Sequence, residues 1–155
     1  MESGASVGSS VVKFNSLVEI SDYLYKKNPD GANEVINALE QRYMRHVEEL
    51  YSTDEWKEKT RNFLRDEFNY LRSFTKELFT SFEEKSIVAQ GEVMSTNMVA
   101  LYMEEQGINV KLLNSLEFMR LKANQEPDME YLAENLAPMI ESRTDGKIYI
   151  AQGFI

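Results

Sequence analysis

The hydrophobic period of this sequence changes once along the chain, and that change constrains the fold more than any other feature. From residue 17 to about residue 85, apolar side chains recur at the i, i+3, i+4 spacing of amphipathic helices. Beyond Gly107 the pattern is strand, helix, strand. Between the two parts, at 90–95 (QGEVMS), a glycine and a carboxylate interrupt an apolar run. We therefore expect a ligand site at 90–95, where the architecture changes.

The first part of the chain is predicted to be a long helical excursion that covers residues 15–85. Its aromatic and aliphatic residues repeat at helical spacing, which favours antiparallel helices packed around a core. Before it, a Gly/Ser-rich loop is expected at 1–10 and a short strand at 11–14 (VVKF). The predicted helices of the excursion are 17–27, 32–51 and 54–82, with a turn at 28–31 (NPDG).

The second part, residues 86–155, is predicted to alternate between helices and strands. Gly107 suits the position after a helix C-terminus, because glycine adopts positive φ without strain. Pro138 is expected to kink or shorten the later helix. An α–β–α–β order is typical of parallel strands joined by crossover helices, so a short, mostly parallel sheet is expected. The predicted helices are 92–106 and 128–142, a helical turn is expected at 115–119, and the strands are 108–113 and 147–151.

Composition excludes several kinds of site. The chain has no cysteine and a single histidine, His46, so no thiolate site or histidine-rich metal site is possible, and no metal ligand is predicted. A net charge of −9 without a basic stretch argues against nucleic-acid binding. No apolar run is long enough to cross a membrane, and residues 1–10 lack the pattern of a signal peptide. A single domain of 155 residues in the cytoplasm is expected.

With these features in place, the sequence resembles the aspartate kinases of the amino-acid kinase superfamily. The strongest match is 90–95, followed by a helix, Gly107 and a strand that leads to 113–118 (LNSLEF). The segment 151–155 (AQGFI) is similar to the family's small-x-Gly-Phe strand end. The segment 15–19 (NSLVE), with the helical excursion, resembles the part that follows the family's second strand. The chain looks most like the amino-terminal part of the bifunctional aspartokinase–homoserine dehydrogenases.

The resemblance implies a fold and a reaction. The fold is a partial three-layer α/β/α fold of the amino-acid kinase type, and residues 1–155 are expected to be an incomplete catalytic domain. The family phosphorylates L-aspartate with ATP and Mg²⁺ to 4-phospho-L-aspartate, in lysine, threonine and methionine biosynthesis. Its nucleotide-binding loops lie beyond the Gly-Phe strand end. This chain is therefore expected neither to bind ATP and Mg²⁺ tightly nor to be active alone.

The resemblance also assigns roles to individual residues at the 90–95 stretch. Glu92 is expected to pair with the amino group of aspartate and to orient it, rather than to act as a base. Ser95, one helical turn further on, adds a hydroxyl. From the residues alone, Glu92 has a simpler interpretation as an acidic residue in the first turn of a helix, where it interacts with the helix dipole.

Near the N-terminus the order of the family motif is rearranged, because the Gly/Ser-rich segment precedes the 11–14 run. Lys13 is matched to the phosphate-contacting lysine of the family, or else belongs to what remains of its second strand. Ser6 is a candidate contact to aspartate or phosphate. Gly4 and Gly8 are expected near the phosphate, since glycine backbone can approach it closely.

A second hypothesis needs no catalysis. The aromatic-lined helices would form a non-enzymatic interaction module, or a relic of such a kinase, that binds a partner or self-associates through an uncovered sheet. The partners expected from the two hypotheses together are L-aspartate, a complementing kinase half, or a second copy of the chain. Neither nucleic acid nor a membrane is expected.

Overall fold

The computed structural model describes residues 5–76, 78–140 and 146–153, with side chains from Asn15 onward. Seven helical segments and two strands occur within these residues. In chain order they are α1 (Ala5–Tyr25), α2 (Pro29–Leu50), α3 (Asp54–Ser73), a 3₁₀ turn (Phe74–Lys76), α4 (Ser81–Glu105), β1 (Val110–Leu113), α5 (Ser115–Phe118), α6 (Met129–Met139) and β2 (Ile148–Ala151).

The chain divides into two compact units, Met1–Met94 and Ser95–Ile155, and the division falls within α4. That residues 1–155 form one domain stays a prediction. None of the helices in the described part of the chain is long and apolar enough to cross a membrane.

The first unit is built from helices that bury one apolar face each. The Tyr43 and Phe68 rings meet edge to face, with centroids 5.6 Å apart, and both side chains are fully buried. Two ion pairs join α2 to α3, Arg61 with Glu48 and Arg72 with Glu40. The later residue of α3 pairs with the earlier residue of α2, so these two helices run antiparallel. The antiparallel packing expected of the helical excursion is therefore confirmed. The innermost residues of the first unit are Leu17, Ile20, Ile36, Val47, Leu64, Leu71, Ile87 and Met94.

The expected loop and strand at the N-terminus are wrong over residues 5–14, which are α-helical. A short β-prone run needs a neighbouring strand to complete its hydrogen bonds. Directly ahead of a helix, the same residues instead extend the helical ladder at one hydrogen bond per residue, without a new nucleus. The helix therefore already includes Ala5 instead of starting near residue 17.

A break between two helices is confirmed near the predicted turn at 28–31, but the turn itself lies at Lys26 and Lys27, and residues 29–31 already belong to α2. Lys27 takes a left-handed φ of 54° and ends α1, while the Asn28 amide donates to the Tyr23 carbonyl at 2.9 Å. Asn28 Oδ1 then accepts a hydrogen bond from the Gly31 amide at 3.0 Å, with Pro29 at the start of the helix. Asn28 thus provides a hydrogen-bond partner both for a carbonyl group at the end of α1 and for an amide at the start of α2.

The prediction of one continuous helix over 54–82 is wrong, since α3 ends at Ser73 and α4 begins at Ser81. A capping box explains the break. The Thr80 amide donates to Glu83 Oε2 at 2.8 Å, and Thr80 Oγ1 accepts from the Phe82 amide at 3.2 Å. The helix start is therefore specified locally, in the middle of an apolar pattern.

The second unit contains the sheet. Strands β1 and β2 pair in parallel, from Val110 opposite Ile148 to Leu113 opposite Ala151. Gly107 has the expected positive φ, 73°, and α6 ends at Met139, directly after Pro138. The helix-rich α/β class with a short parallel sheet is confirmed.

Candidate functional site

The 90–95 stretch lies in the interior of α4 rather than at a helix start. The predicted break at Gln90 and Gly91 is wrong, because α4 runs without interruption from Ser81 to Glu105. Glu92 is therefore three turns into the helix. The dipole acts mainly within the first turn, so it does not account for a carboxylate at this position.

Gly91 has a packing reason inside α4. A Cβ atom added there would lie 2.9 Å from Leu17 Cδ1, and Leu17 is only 1% exposed. Glycine in a helix interior costs about 0.5–1 kcal/mol relative to alanine. Here it allows the backbone of α4 to approach α1 closely. The glycine that interrupts the sequence pattern thus marks a helix contact.

Gln90 is on the inward side of α4, three residues after Ile87 and four before Met94, both of which are fully buried. Its side-chain amide donates to the Ser86 carbonyl at 3.4 Å. Its Oε1 atom is buried, and no group in the described residues donates to it. Sequence reasoning missed this residue. The signal in the sequence was a polar residue at a position where the helical spacing of apolar residues predicts an apolar one.

Glu92 and Ser95 lie one turn apart on α4, and helical geometry places such a pair on the same side of the helix. Glu92 is exposed and Ser95 is half-buried. This side is turned roughly 160° from that of Gln90, because two residues rotate a helix by about 200°. An exposed carboxylate with a neighbouring hydroxyl can accept hydrogen bonds from an ammonium group.

The other predicted site residues lie on α1 or outside the described residues. Ser6, Gly8 and Lys13 belong to the first half of α1, and Gly4 lies outside the described residues. Neither a glycine-rich loop nor a strand end is found over residues 5–14, so that part of the expected geometry is wrong. The phosphate and substrate roles of these residues stay predictions.

A polar cluster at the carboxyl ends of the strands was not predicted. The Ser115 hydroxyl, 1% exposed, donates to the Gln152 carbonyl, and Gln152 Nε2 lies 3.5 Å from Asn114 Oδ1. Asn114 also caps α5 through the Leu116 amide. The parallel register brings the two strand ends together, and this edge of an α/β sheet is where ligands generally bind. An Asn-Ser pair directly after a strand was the signal in the sequence.

Metal and electrostatic features of the described residues are limited. No group of three or more His, Asp or Glu side chains there is arranged to hold a metal ion, so no metal site is assigned. At the start of α6, the Tyr131 amide and the Arg120 guanidinium hold the pKa of Asp128 below its ordinary value. These contacts cap a helix and close the preceding loop, which indicates a structural role.

No protein-family model matches the sequence, and no curated protein sequence does. Among solved structures, the fold is similar to that of aspartokinase III from E. coli, solved in complex with aspartate and ADP in its R-state. The TM-score is 0.71 at 22% sequence identity, over 92% of this chain and 32% of that chain. This chain thus spans about a third of the length of that protein. The likeness confirms an aspartate-kinase-like fold.

Proposed function

We propose that this chain is part of an aspartate kinase and that it binds L-aspartate, with Glu92 as the anchor for the substrate's amino group. The observation that carries the proposal is the fold shared, over 92% of this chain, with a protein solved with aspartate and ADP. The position of Glu92 supports it, because the carboxylate is exposed on the surface of a continuous helix. Rigid helices hold such groups more precisely than loops do.

The proposed roles follow from the chemistry of the side chains. The Glu92 carboxylate accepts charge-assisted hydrogen bonds from the ammonium group, and the Ser95 hydroxyl adds a further bond from the same side of α4. Lys13 would contribute a positive charge toward a phosphate, with Ser6, Gly4 and Gly8 nearby. These last assignments rest on the sequence resemblance.

The overall reaction proposed is transfer of a phosphoryl group from ATP to the β-carboxylate of aspartate, in cytoplasmic amino-acid biosynthesis. Such a reaction depends on positioning and on charge neutralisation around the phosphate. That this chain does not bind ATP and Mg²⁺ tightly stays a prediction from the resemblance, and on that basis the 155-residue chain alone is expected to consume no ATP in response to aspartate. A complementing kinase half would have to supply the nucleotide site. The match to the bifunctional type of enzyme stays a prediction.

Calorimetry with L-aspartate and with succinate tests the amino-group anchor. Succinate carries the same two carboxylates without the amino group, so the native chain should bind aspartate more tightly. Glu92→Gln should lower aspartate affinity by about 10- to 100-fold, the range for a lost hydrogen bond to a charged group. It should also bring the two ligands to similar affinity. Glu104→Gln is the control, since Glu104 is exposed on the same helix.

Two outcomes would decide against the proposal. One is the absence of aspartate binding at millimolar concentration in a chain that circular dichroism shows to be folded. The other is binding that Glu92→Gln leaves unchanged. The first result would favour the non-enzymatic interaction module, and the second would show that Glu92 is not the anchor for the amino group. A coupled assay for ADP release completes the test, because aspartate-dependent turnover by this chain alone would refute the prediction that it is inactive without a complementing half.

A further inference from the structure

One side of α3 carries aromatic residues at seven-residue spacing, Trp56, Phe63 and Tyr70. Each lies only about 20° around the helix from the one before it. Trp56 and Phe63 are partly exposed, and Tyr70 is 45% exposed. Lys59 and Asp66 are exposed and lie on one side of this row, about 40° and 60° around the helix from Phe63. These residues therefore share one surface of a single helix, which we call the α3 stripe.

The α3 stripe is separate from the face that α3 buries. Leu64, Phe68 and Leu71 are fully buried, and they lie about 80–140° around the helix from Phe63. They are on the side away from the two charged residues of the stripe. Phe68 contacts Tyr43 of α2, so the buried face is turned to α2. The aromatic row of the stripe is thus a second apolar row, on a side that a partner can reach.

Local contacts hold the outer rings of the α3 stripe. The Tyr70 and Phe74 rings meet edge to face, 4.9 Å between centroids, and Phe74 is 8% exposed. Lys59 Nζ lies 4.2 Å from the centroid of the Trp56 ring. Rings that are already ordered lose little conformational entropy when a partner covers them. Trp and Tyr are also among the residue types that contribute most to binding at protein interfaces.

The order of residues along the α3 stripe makes it complementary to itself. Trp56 comes seven residues before Phe63, and Tyr70 comes seven residues after it. Lys59 precedes Phe63 by four residues, and Asp66 follows it by three. A two-fold axis at Phe63, perpendicular to the helix, therefore places each Trp56 opposite the Tyr70 of a second copy. Such an axis reverses the helix direction but keeps the charged sides of the two rows together, so Lys59 of each copy meets Asp66 of the other.

We propose that the α3 stripe is a self-association surface, through which two copies of the chain pack α3 against α3 in antiparallel orientation. The aromatic rings form the centre of the contact, and reciprocal pairs of Lys59 with Asp66 lie along one side. The contact extends over about 21 Å, the rise of fourteen helical residues. The net charge of −9 makes two copies repel each other in general, so this local complementarity has to supply the attraction. The inference is independent of aspartate binding.

Sedimentation equilibrium over a range of protein concentrations tests the proposal, and the native chain should show a monomer–dimer equilibrium. Tyr70→Ser should raise the dissociation constant at least about tenfold, because the dimer loses an aromatic contact at both ends. Tyr25→Ser is the matched control and should leave the dissociation constant unchanged. Tyr25 is 48% exposed, and its ring meets that of Phe79 edge to face at 4.8 Å, much as Tyr70 meets Phe74. Circular dichroism checks that both variants are folded.

Exchange of the two charges tests the orientation of the helices. Lys59→Asp alone or Asp66→Lys alone places like charges across the contact, and each should raise the dissociation constant by about 5- to 30-fold, less at high salt. The double variant restores opposite charges and should dimerise about as tightly as the native chain. The two positions are about 10 Å apart along the helix, so a direct pair within one copy does not explain such a recovery.

Asp66→Lys also separates the specific contact from general repulsion. It makes the chain less negative, so general repulsion alone predicts a tighter dimer, whereas the antiparallel contact predicts a weaker one. Asp22→Lys, at an exposed position of α1, makes the same change in net charge and should not weaken the dimer.

Several results would overturn the proposal. One is a native chain that is monomeric at every concentration, and another is a double charge variant that dimerises no better than the single variants. A dimer that Ile148→Ser disrupts and Tyr70→Ser does not would assign association to the sheet, because Ile148 is 45% exposed on β2. Phospholipid vesicle binding that depends on Tyr70, without a dimer, would assign the stripe to a membrane surface instead.

Discussion

Replacement of Gly91 by alanine separates a packing role from a ligand role at the centre of the candidate site. Two effects of this replacement on the free energy of unfolding oppose each other. Alanine in a helix interior is favoured over glycine by about 1 kcal/mol. The new Cβ atom would lie 2.9 Å from Leu17 Cδ1, closer than side chains tolerate, and Leu17 is 1% exposed and has little room to move. Overpacking of this kind costs about 1–3 kcal/mol.

The second effect should win in the native chain. Gly91→Ala is expected to lower the free energy of unfolding by up to about 2 kcal/mol, the overpacking cost less the helix gain. In a Leu17→Ala background the contact is gone, so the same change should instead stabilise by up to about 1 kcal/mol. Leu17→Ala alone should cost about 2–5 kcal/mol because it leaves a cavity. The sign of the Gly91 effect therefore depends on Leu17.

Urea unfolding followed by circular dichroism measures all four chains of this double-mutant cycle. The aspartate affinity of Gly91→Ala, measured by calorimetry, should be close to native if the glycine serves only packing. A Gly91→Ala chain that is more stable than native would refute the argument, because it would show that Leu17 gives way freely. A large loss of aspartate affinity without loss of stability would assign the glycine to the ligand.

Three further predictions concern single positions. Lys27→Gly should raise the free energy of unfolding, measured by thermal unfolding, by roughly 1 kcal/mol, because Lys27 has a φ of 54° and glycine relieves the strain of that conformation. Lys26→Gly is the control and should not stabilise the chain, because Lys26 does not have a positive φ. Burial raises the pKa of the Tyr43 phenol above 10, so this group ionises at a lower pH in the unfolded chain than in the folded chain. The free energy of unfolding should therefore fall as pH rises past 10. Urea titrations at several pH values should show that Tyr43→Phe makes this fall less steep. The pKa of Asp128 is lowered in the folded chain, so the stabilisation from its ionised form is present above the ordinary value of 3.8 and is lost as pH falls through the folded value. Asp128→Asn should lower the melting temperature near neutral pH. Acid unfolding should show that the variant also loses this part of the pH dependence of stability.

Local sequence signals predicted much of the fold. The break between α1 and α2 near Pro29, the glycine after α4 and the parallel pairing of β1 with β2 all follow from local residue chemistry and hydrophobic period. The division between α3 and α4 was missed although its signal is equally local, a Thr-x-x-Glu capping box inside an apolar pattern. The prediction of a short strand at 11–14 was wrong, because a β-prone run without a neighbouring strand joins the helix that follows it.

The sequence by itself determined the glycine end of α4, the parallel strand order of the second unit and the spacing of Glu92 and Ser95 by one helical turn. Each depends on residues only a few positions apart, so the pattern contains the information. Only the tertiary structure decided that 90–95 lies inside one uninterrupted helix, since Gly91 is required by Leu17, more than seventy residues earlier. It also brought together Ser115 and Gln152. Contacts between distant residues depend on how helices and strands pack, and no local pattern records them.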